Sequence, residues 1–178
     1  MINKAIDFAV KAHAGQFRKG THIPFILHPM EVGVIVSKMT SDEEIISAAF
    51  LHDTVEDCPL VTIEQIRETF GERIAAMVAD ESEDKSKTWI ERKSHTIAHL
   101  KETASPEVRY IALGDKLANI RSLVKDYREV GDKLWERFNM KDKKMQGWYY
   151  RSIIESLSSM KEFREYQEYV ELVHSLFG

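Results

Sequence analysis

The chain has 178 residues, 43% hydrophobic and 30% charged, a balance that fits one ordinary globular domain over residues 1–178 and excludes a disordered chain. Its formal net charge of −4 offers no strongly basic stripe to neutralise a phosphate backbone, so nonspecific nucleic-acid binding is not expected. A single cysteine, Cys58, excludes an intramolecular disulfide and a cysteine-rich zinc site; with a charge-interrupted N-terminus and no apolar run of membrane length, a cytoplasmic protein without export signal or anchor is expected.

Apolar residues recur at helical spacing from the start, at Ile2, Ala5, Ile6, Ala9 and Ala12. Strict apolar–polar alternation is missing, so the expected fold class is all-α, a compact multi-helix bundle. Residues 14–24, punctuated by Gly15, Gly20 and Pro24, read as a loop after the first helix. Pro29 is expected at the first position of a second helix, with His28 at its mouth, because a residue before proline is disfavoured in the α region. Residues 41–44 have the Ser-x-x-Glu form of a capping box and open a third helix through Leu51, ending near residues 57–59. Residues 62–65 repeat the signal, and Gly71 closes the short helix they open. Further helices are expected over residues 72–78, 88–103, 106–127, 141–157 and 162–176.

Residues 48–57, Ala-Ala-Phe-Leu-His-Asp-Thr-Val-Glu-Asp, put four ionisable groups at one end of an apolar helix. Ile45, Ala48, Ala49 and His52 fall at i, i+3, i+4 and i+7, an inward face. On a continuous helix Glu56 neighbours both His52 and Asp53, and Asp57 neighbours Asp53. Unpaired buried carboxylates are costly and tend to protonate, and a divalent cation removes that cost. For His52 alone a satisfied core histidine is the better account; for the four groups together a metal site is. A second inward stripe, Val108, Ile111, Ala112, Ala118 and Ser122, carries Asp115, with Asn119 one turn beyond it. The competing account of Asp115 pairs it with Arg121 or Lys116. His28 is a third, weaker point, with His13, His22, His95, His99 and His174 as rivals. His95 and His99 are spaced i, i+4 but lack the His-Glu-x-x-His pattern, and a polar face of a surface helix accounts for them.

Several ordered blocks carry a resemblance. They are residues 12–19 (Ala-His-Ala-Gly-Gln-Phe-Arg-Lys), 24–29 (Pro-Phe-Ile-Leu-His-Pro), 51–57 (Leu-His-Asp-Thr-Val-Glu-Asp), 83–85 (Glu-Asp-Lys) with 91–93 (Glu-Arg-Lys), and 113–119 (Leu-Gly-Asp-Lys-Leu-Ala-Asn). Together they resemble the HD phosphohydrolase superfamily, and more narrowly the alarmone hydrolase branch of Rel/SpoT enzymes and stand-alone small alarmone hydrolases. The resemblance implies an HD-domain bundle with one divalent ion, usually manganese, held by His28, His52, Asp53 and Asp115. It implies that Glu56 and Asp57 orient or deprotonate the attacking water, that Arg18 packs against the nucleotide base, and that Lys19 and Asn119 help bind substrate.

The reaction so implied is hydrolysis of guanosine 3′,5′-bis(diphosphate) or its 5′-triphosphate counterpart (ppGpp/pppGpp), releasing pyrophosphate from the 3′ position to leave GDP or GTP respectively. The alternatives are a related nucleotide or NADPH phosphatase of the same superfamily, and a noncatalytic alarmone-binding regulatory protein. With no synthetase or regulatory region in the sequence, a stand-alone hydrolase is expected. Its partner is a small-molecule guanosine nucleotide, without nucleic acid or membrane; whether it also forms a homo-oligomer is left open. Residues 124–150 look longer than the matching part of animal small alarmone hydrolases. Within them Trp148, Tyr149 and Tyr150 are candidates for a nucleotide pocket or for core, and Lys141, Lys143 and Lys144 for phosphate contacts or a solvated face.

Overall fold

The computed structural model describes residues 1–178. Its helices are α1 (Ile2–Ala12), α2 (Leu27–Met39), α3 (Glu43–Leu51), α4 (Thr54–Asp57), α5 (Ile63–Phe70), α6 (Glu72–Glu81), α7 (Trp89–Glu102), α8 (Pro106–Val130), α9 (Lys143–Ser156) and α10 (Arg164–Phe177). Two 3₁₀ segments follow α8 and α9, at Gly131–Arg137 and Ser158–Met160. The one β-type pairing is an isolated bridge between Phe17 and Pro24, so the class is all-α. No helix is long and apolar enough to cross a membrane.

The chain divides into two compact units, Met1–Glu83 with Ser105–Asp115, and Asp84–Ala104 with Lys116–Gly178. In the first, α3 is the central element: every residue from Ile45 to Leu51 is buried, and α1, α2 and α6 pack on it. A helix that is apolar all round belongs in a core. Asp42 starts α3, its carboxylate accepting from the backbone N–H groups of Glu44 at 2.9 Å and Ile45 at 3.4 Å. The expected cap, Ser41, lies one residue too early. Aspartate does two jobs there, because Arg73 of α6 also donates to Asp42 at 2.7 Å and to Glu44 and Glu107.

In the second unit α9 packs against both α7 and α10. Thr88 and Glu91 form a capping box at the start of α7. Tyr149 and Tyr150 are buried, and the Tyr169 hydroxyl donates to the Tyr150 carbonyl at 2.9 Å. These tyrosines fill core, while Trp148 is half-buried. Lys143 donates to the Tyr127 hydroxyl at 2.9 Å and lies over that ring, whereas Lys141 and Lys144 face solvent.

Other boundaries differ from the sequence expectation for local reasons. α2 begins at Leu27, so His28 is helical and Pro29 occupies the third position; the first-turn N–H groups have no helical partner, and proline is tolerated there. α3 stops at Leu51, and the chain turns at His52–Asp53 before the single turn of α4. α8 runs on to Val130, ending where Gly131 adopts φ of +60°. Ser122, placed in the inward stripe, is half-buried.

Candidate metal centre

Termination of α3 is what exposes the donor atoms. His52 is the C-terminal cap of α3, and its Nδ1 donates to the Ala49 carbonyl at 2.8 Å. A carbonyl only accepts, so Nδ1 carries the proton and Nε2 is turned to the other side of the ring. The Thr54 hydroxyl donates to the Leu51 carbonyl at 2.7 Å, fixing the turn that carries Asp53. His28 comes from α2 and Asp115 from α8.

These four side chains converge. His28 Nε2 lies 3.0 Å from Asp115 Oδ1 and 3.4 Å from Asp53 Oδ2. His52 Nε2 lies 3.1 Å from Asp53 Oδ2 and 3.7 Å from Asp115 Oδ1. Donor atoms of His28, His52 and Asp53 all lie within 4.8 Å of one another. Both imidazoles and Asp115 are buried, while Asp53 is 20% exposed and forms the open side. The distance to Asp53 would suit a hydrogen bond, yet His52 Nε2 is buried without one of acceptable alignment. The donors of His28, His52 and Asp53 are compact enough to hold a divalent cation, and Asp115 Oδ1 lies beside both imidazoles. Ligands at roughly 2.0–2.2 Å from an ion stand about 3 Å from their neighbours.

Electrostatics agree. Burial by itself drives the His52 imidazole down, but Asp53 and Asp115 outweigh it and hold its pKa well above the ordinary value. Burial likewise opposes ionisation of Asp53, and His52 and His28 reverse it, keeping this carboxyl well below the usual carboxylate range. The cluster is thus a place where positive charge is strongly favoured.

Gly114 permits the approach of Asp115 to His28. A Cβ there would lie 2.8 Å from a Val36 methyl, 3.3 Å from a Val32 methyl and 3.4 Å from the Val32 carbonyl, all on α2. Only hydrogen at this position lets α8 and α2 come this close. Arg121, one of the partners weighed for Asp115, donates to both oxygens of Glu168, at 2.7 and 2.8 Å.

The remaining expected site residues lie on α4, in the loop between α1 and α2, and on α8. Glu56 is half-buried on α4, its carboxylate accepting from the Glu83 N–H at 3.2 Å. The turn at His52–Asp53 means Glu56 does not follow His52 on one continuous helix. Asp57 ends α4, and its carbonyl accepts from Gln16 at 2.9 Å. Arg18 is half-buried in the 16–25 loop, with its guanidinium 5.6 Å from the Phe25 ring centroid. Lys19 is exposed in the same loop, which Gly20 turns with φ of +68°. Asn119, half-buried, follows Asp115 by four residues along α8 and belongs to the second unit.

Phe25, Gln16 and Gly114 escaped the sequence reading as contributors. Phe25 sits 4.8 Å from the His13 ring and 5.8 Å from His28. His13, a rival ligand by composition, is buried and donates to the Gln16 amide oxygen at 2.8 Å. Their only signal was membership in the blocks at residues 12–19, 24–29 and 113–119.

An all-α bundle with a buried His, His-Asp and Asp cluster defines the class, a metal-binding helical domain. A sequence model of the HD domain matches residues 5–141, and the chain belongs to the HD domain family. The guanosine-3′,5′-bis(diphosphate) 3′-pyrophosphohydrolase MESH1 of Danio rerio is 36% identical over 126 residues, covering 69% of this chain and 69% of that protein. The guanosine-3′,5′-bis(diphosphate) 3′-pyrophosphohydrolase of Aquifex aeolicus (strain VF5) is 38% identical over 124 residues, 68% of this chain but 18% of that much longer protein. Among solved structures, lmo0812 from Listeria monocytogenes EGD-e superposes with a TM-score of 0.76 at 32% identity, over 84% of this chain and 98% of that one. A metazoan ortholog of SpoT, described as hydrolysing ppGpp, has the same fold, with a TM-score of 0.81 at 24% identity over 98% of this chain and 94% of that one.

Proposed function

We propose that this protein is a metal-dependent hydrolase of guanosine 3′,5′-bis(diphosphate) and of its 5′-triphosphate counterpart, releasing pyrophosphate from the 3′ position to leave GDP and GTP respectively. The observation that carries it is the convergence of His28, His52, Asp53 and Asp115, with a buried His52 nitrogen aimed at the two carboxylates. The substrate follows from relatives with that named activity at 36% and 38% identity. We assign the four side chains as ligands of one divalent ion, manganese, for which mixed imidazole and carboxylate donors are suited. When bound, such an ion supplies Lewis-acid charge at the phosphoryl group and acidifies water.

The side chains then divide the remaining work. Glu56, on the turn of helix following Asp53, accepts the proton of the attacking water, and Asp57 orients that water. The bond between the 3′ oxygen and its diphosphate breaks, the water oxygen bonds to phosphorus, and the 3′ oxygen takes up a proton. Arg18 suits the guanine base because a planar guanidinium stacks and donates hydrogen bonds at once, and here it already lies over an aromatic ring, that of Phe25. Lys19 and Asn119 help bind the substrate.

The test is product analysis with the manganese-loaded chain, comparing pyrophosphate release from guanosine 3′,5′-bis(diphosphate) with phosphate release from NADPH. Pyrophosphate with GDP is the expected result. Consumption of NADPH alone would transfer the protein to the phosphatase alternative, and consumption of neither to a binding role.

A further inference from the structure

Gln16 lies between α1 and α2 and has no part in the roles above. Its amide nitrogen donates to the Asp57 carbonyl at 2.9 Å and lies 3.8 Å from Cys58 Sγ, while its amide oxygen faces His13 Nδ1 at 2.8 Å. Because a carbonyl only accepts, the nitrogen end of the amide is fixed toward Asp57 and the oxygen end toward His13, which must donate. One side chain thus joins the buried end of α1 to the C-terminal end of α4.

α4 needs such a tie. It is a single turn, Thr54–Asp57, far below the length at which a helix holds itself, and its last carbonyls have no partner within it. The Thr54 hydroxyl secures its beginning and the Glu83 N–H meets its Glu56 carboxylate. At its far end the Gln16 amide supplies the donor for the Asp57 carbonyl.

The loop carrying Arg18 and Lys19, by contrast, does not depend on the Gln16 side chain. Arg18 N donates to the Ile23 carbonyl at 2.8 Å, and the Thr21 N–H and hydroxyl both donate to the Arg18 carbonyl, at 3.1 and 2.9 Å. Phe25 N donates to the backbone carbonyl of Gln16 at 2.9 Å. All of these bonds survive a change of side chain at position 16.

We propose that Gln16 is a positioning residue for Glu56 and Asp57, anchoring the end of α4 so that the two acids are held for the chemical step. The inference rests on the reading of these acids as the groups that handle the attacking water. Its signature is an effect on turnover and not on substrate affinity.

The experiment uses the full manganese-loaded chain with Gln16→Met, of similar length without polar atoms, and Gln16→Glu, which can accept from His13 but cannot donate to Asp57. Both variants should lower kcat for pyrophosphate release from guanosine 3′,5′-bis(diphosphate) by about tenfold or more, with KM unchanged within about threefold. Amide exchange should accelerate by about tenfold at Asp57 and Cys58, whose N–H groups bond Asp53 and Thr54 within the turn, and stay unchanged in the α3 core. A Gln16→Glu variant with normal kcat, or KM rising in step with any loss of kcat, would overturn the proposal. Should the unaltered chain release no pyrophosphate, the substrate reading falls, and the exchange measurement alone decides the anchor: unchanged protection at Asp57 and Cys58 rejects it.

Discussion

The Nδ1–H of His52 donates to the carbonyl of Ala49, one turn back in α3, at 2.8 Å, and this bond aims the opposite ring nitrogen at Asp53 and Asp115. A hydrogen bond of this kind is what orients a metal-binding imidazole. Because the ring is set before any ion arrives, the cost of ordering the donors lies in folding and not in binding.

The first expectation concerns the ion. At a manganese concentration about 100 times the dissociation constant, binding to the folded state adds about 2.7 kcal/mol. For a chain of this size that corresponds to a melting shift of roughly 5–10 °C. Asp53→Asn removes one charged ligand at nearly constant volume and should weaken manganese binding by at least about tenfold. Thermal shift and calorimetric titration measure both. An Asp53→Asn protein that binds manganese as tightly as the parent would rule out Asp53 as a ligand.

Glu56→Gln separates binding from chemistry. The amide keeps the shape and can occupy the place near the Glu83 N–H, but it cannot take up a proton from water. General-base catalysis contributes about 10²–10⁴-fold, so kcat should fall by that order while manganese affinity holds. Near-normal turnover in a folded, metal-loaded variant would move the role to Asp57.

How much of this centre was legible in the sequence follows from the range of each interaction. His52 and Asp53 announce themselves because acids and a histidine interrupt an apolar helical face, a signal confined to ten residues. Asp115 is legible for the same reason within α8. Their meeting with His28 is not local, and only the ordered blocks shared with the HD family suggested it. The break between Leu51 and Thr54 was invisible, since helical spacing continues through it; what ends α3 is a pair of side chains, His52 and Thr54, bonding back to the Ala49 and Leu51 carbonyls. Gly114 was equally silent, because its meaning is the nearness of Val32 and Val36, seventy-eight or more positions away in the chain.

That nearness gives a prediction. Gly114→Ala places a methyl 2.8 Å from Val36 and 3.3 Å from Val32, closer than side chains tolerate. Overpacking of this kind costs about 1–3 kcal/mol, and the strain is relieved by moving α8 away from α2, which separates Asp115 from His28. The variant should melt lower and also bind manganese more weakly. Loss of stability with unchanged manganese affinity would show that the two helices adjust without disturbing the ligands.

The Arg73 network predicts a pH dependence. Hydrogen bonding from Arg73 is the main reason that Asp42 titrates below its ordinary value, with burial opposing and the Glu44 and Ile45 amides assisting. A carboxyl lowered on folding contributes stability above its unfolded value, roughly 3.9, and that contribution is lost as pH falls through the folded value. The network is partly exposed, so Arg73→Met should cost about 1 kcal/mol at neutral pH, a melting shift of roughly 2–4 °C. The gap between parent and variant should close as pH falls below about 4. A gap that stays constant down to pH of about 3 would show that packing of the Arg73 stem, and not its charge, stabilises the unit.

Arg18→Ala tests the substrate. In the structure the guanidinium rests over Phe25, whose ring in turn meets His28, so the loop presents a flat cation close in contact sequence to a metal-centre side chain. A partly exposed cation–aromatic contact contributes about 0.5–1 kcal/mol, and its loss should lower the melting temperature by no more than roughly 4 °C. If the same guanidinium also stacks on guanine and bonds to it, the variant loses about 1–3 kcal/mol of transition-state binding, a drop of roughly 5- to 150-fold in kcat/KM. The comparison must be made with guanosine 3′,5′-bis(diphosphate) and with NADPH in parallel. A fall confined to the guanosine substrate places Arg18 at the base. Equal falls on both substrates, or a loss of folded protein large enough to account for the rate, would return Arg18 to the part of a loop residue packed on Phe25.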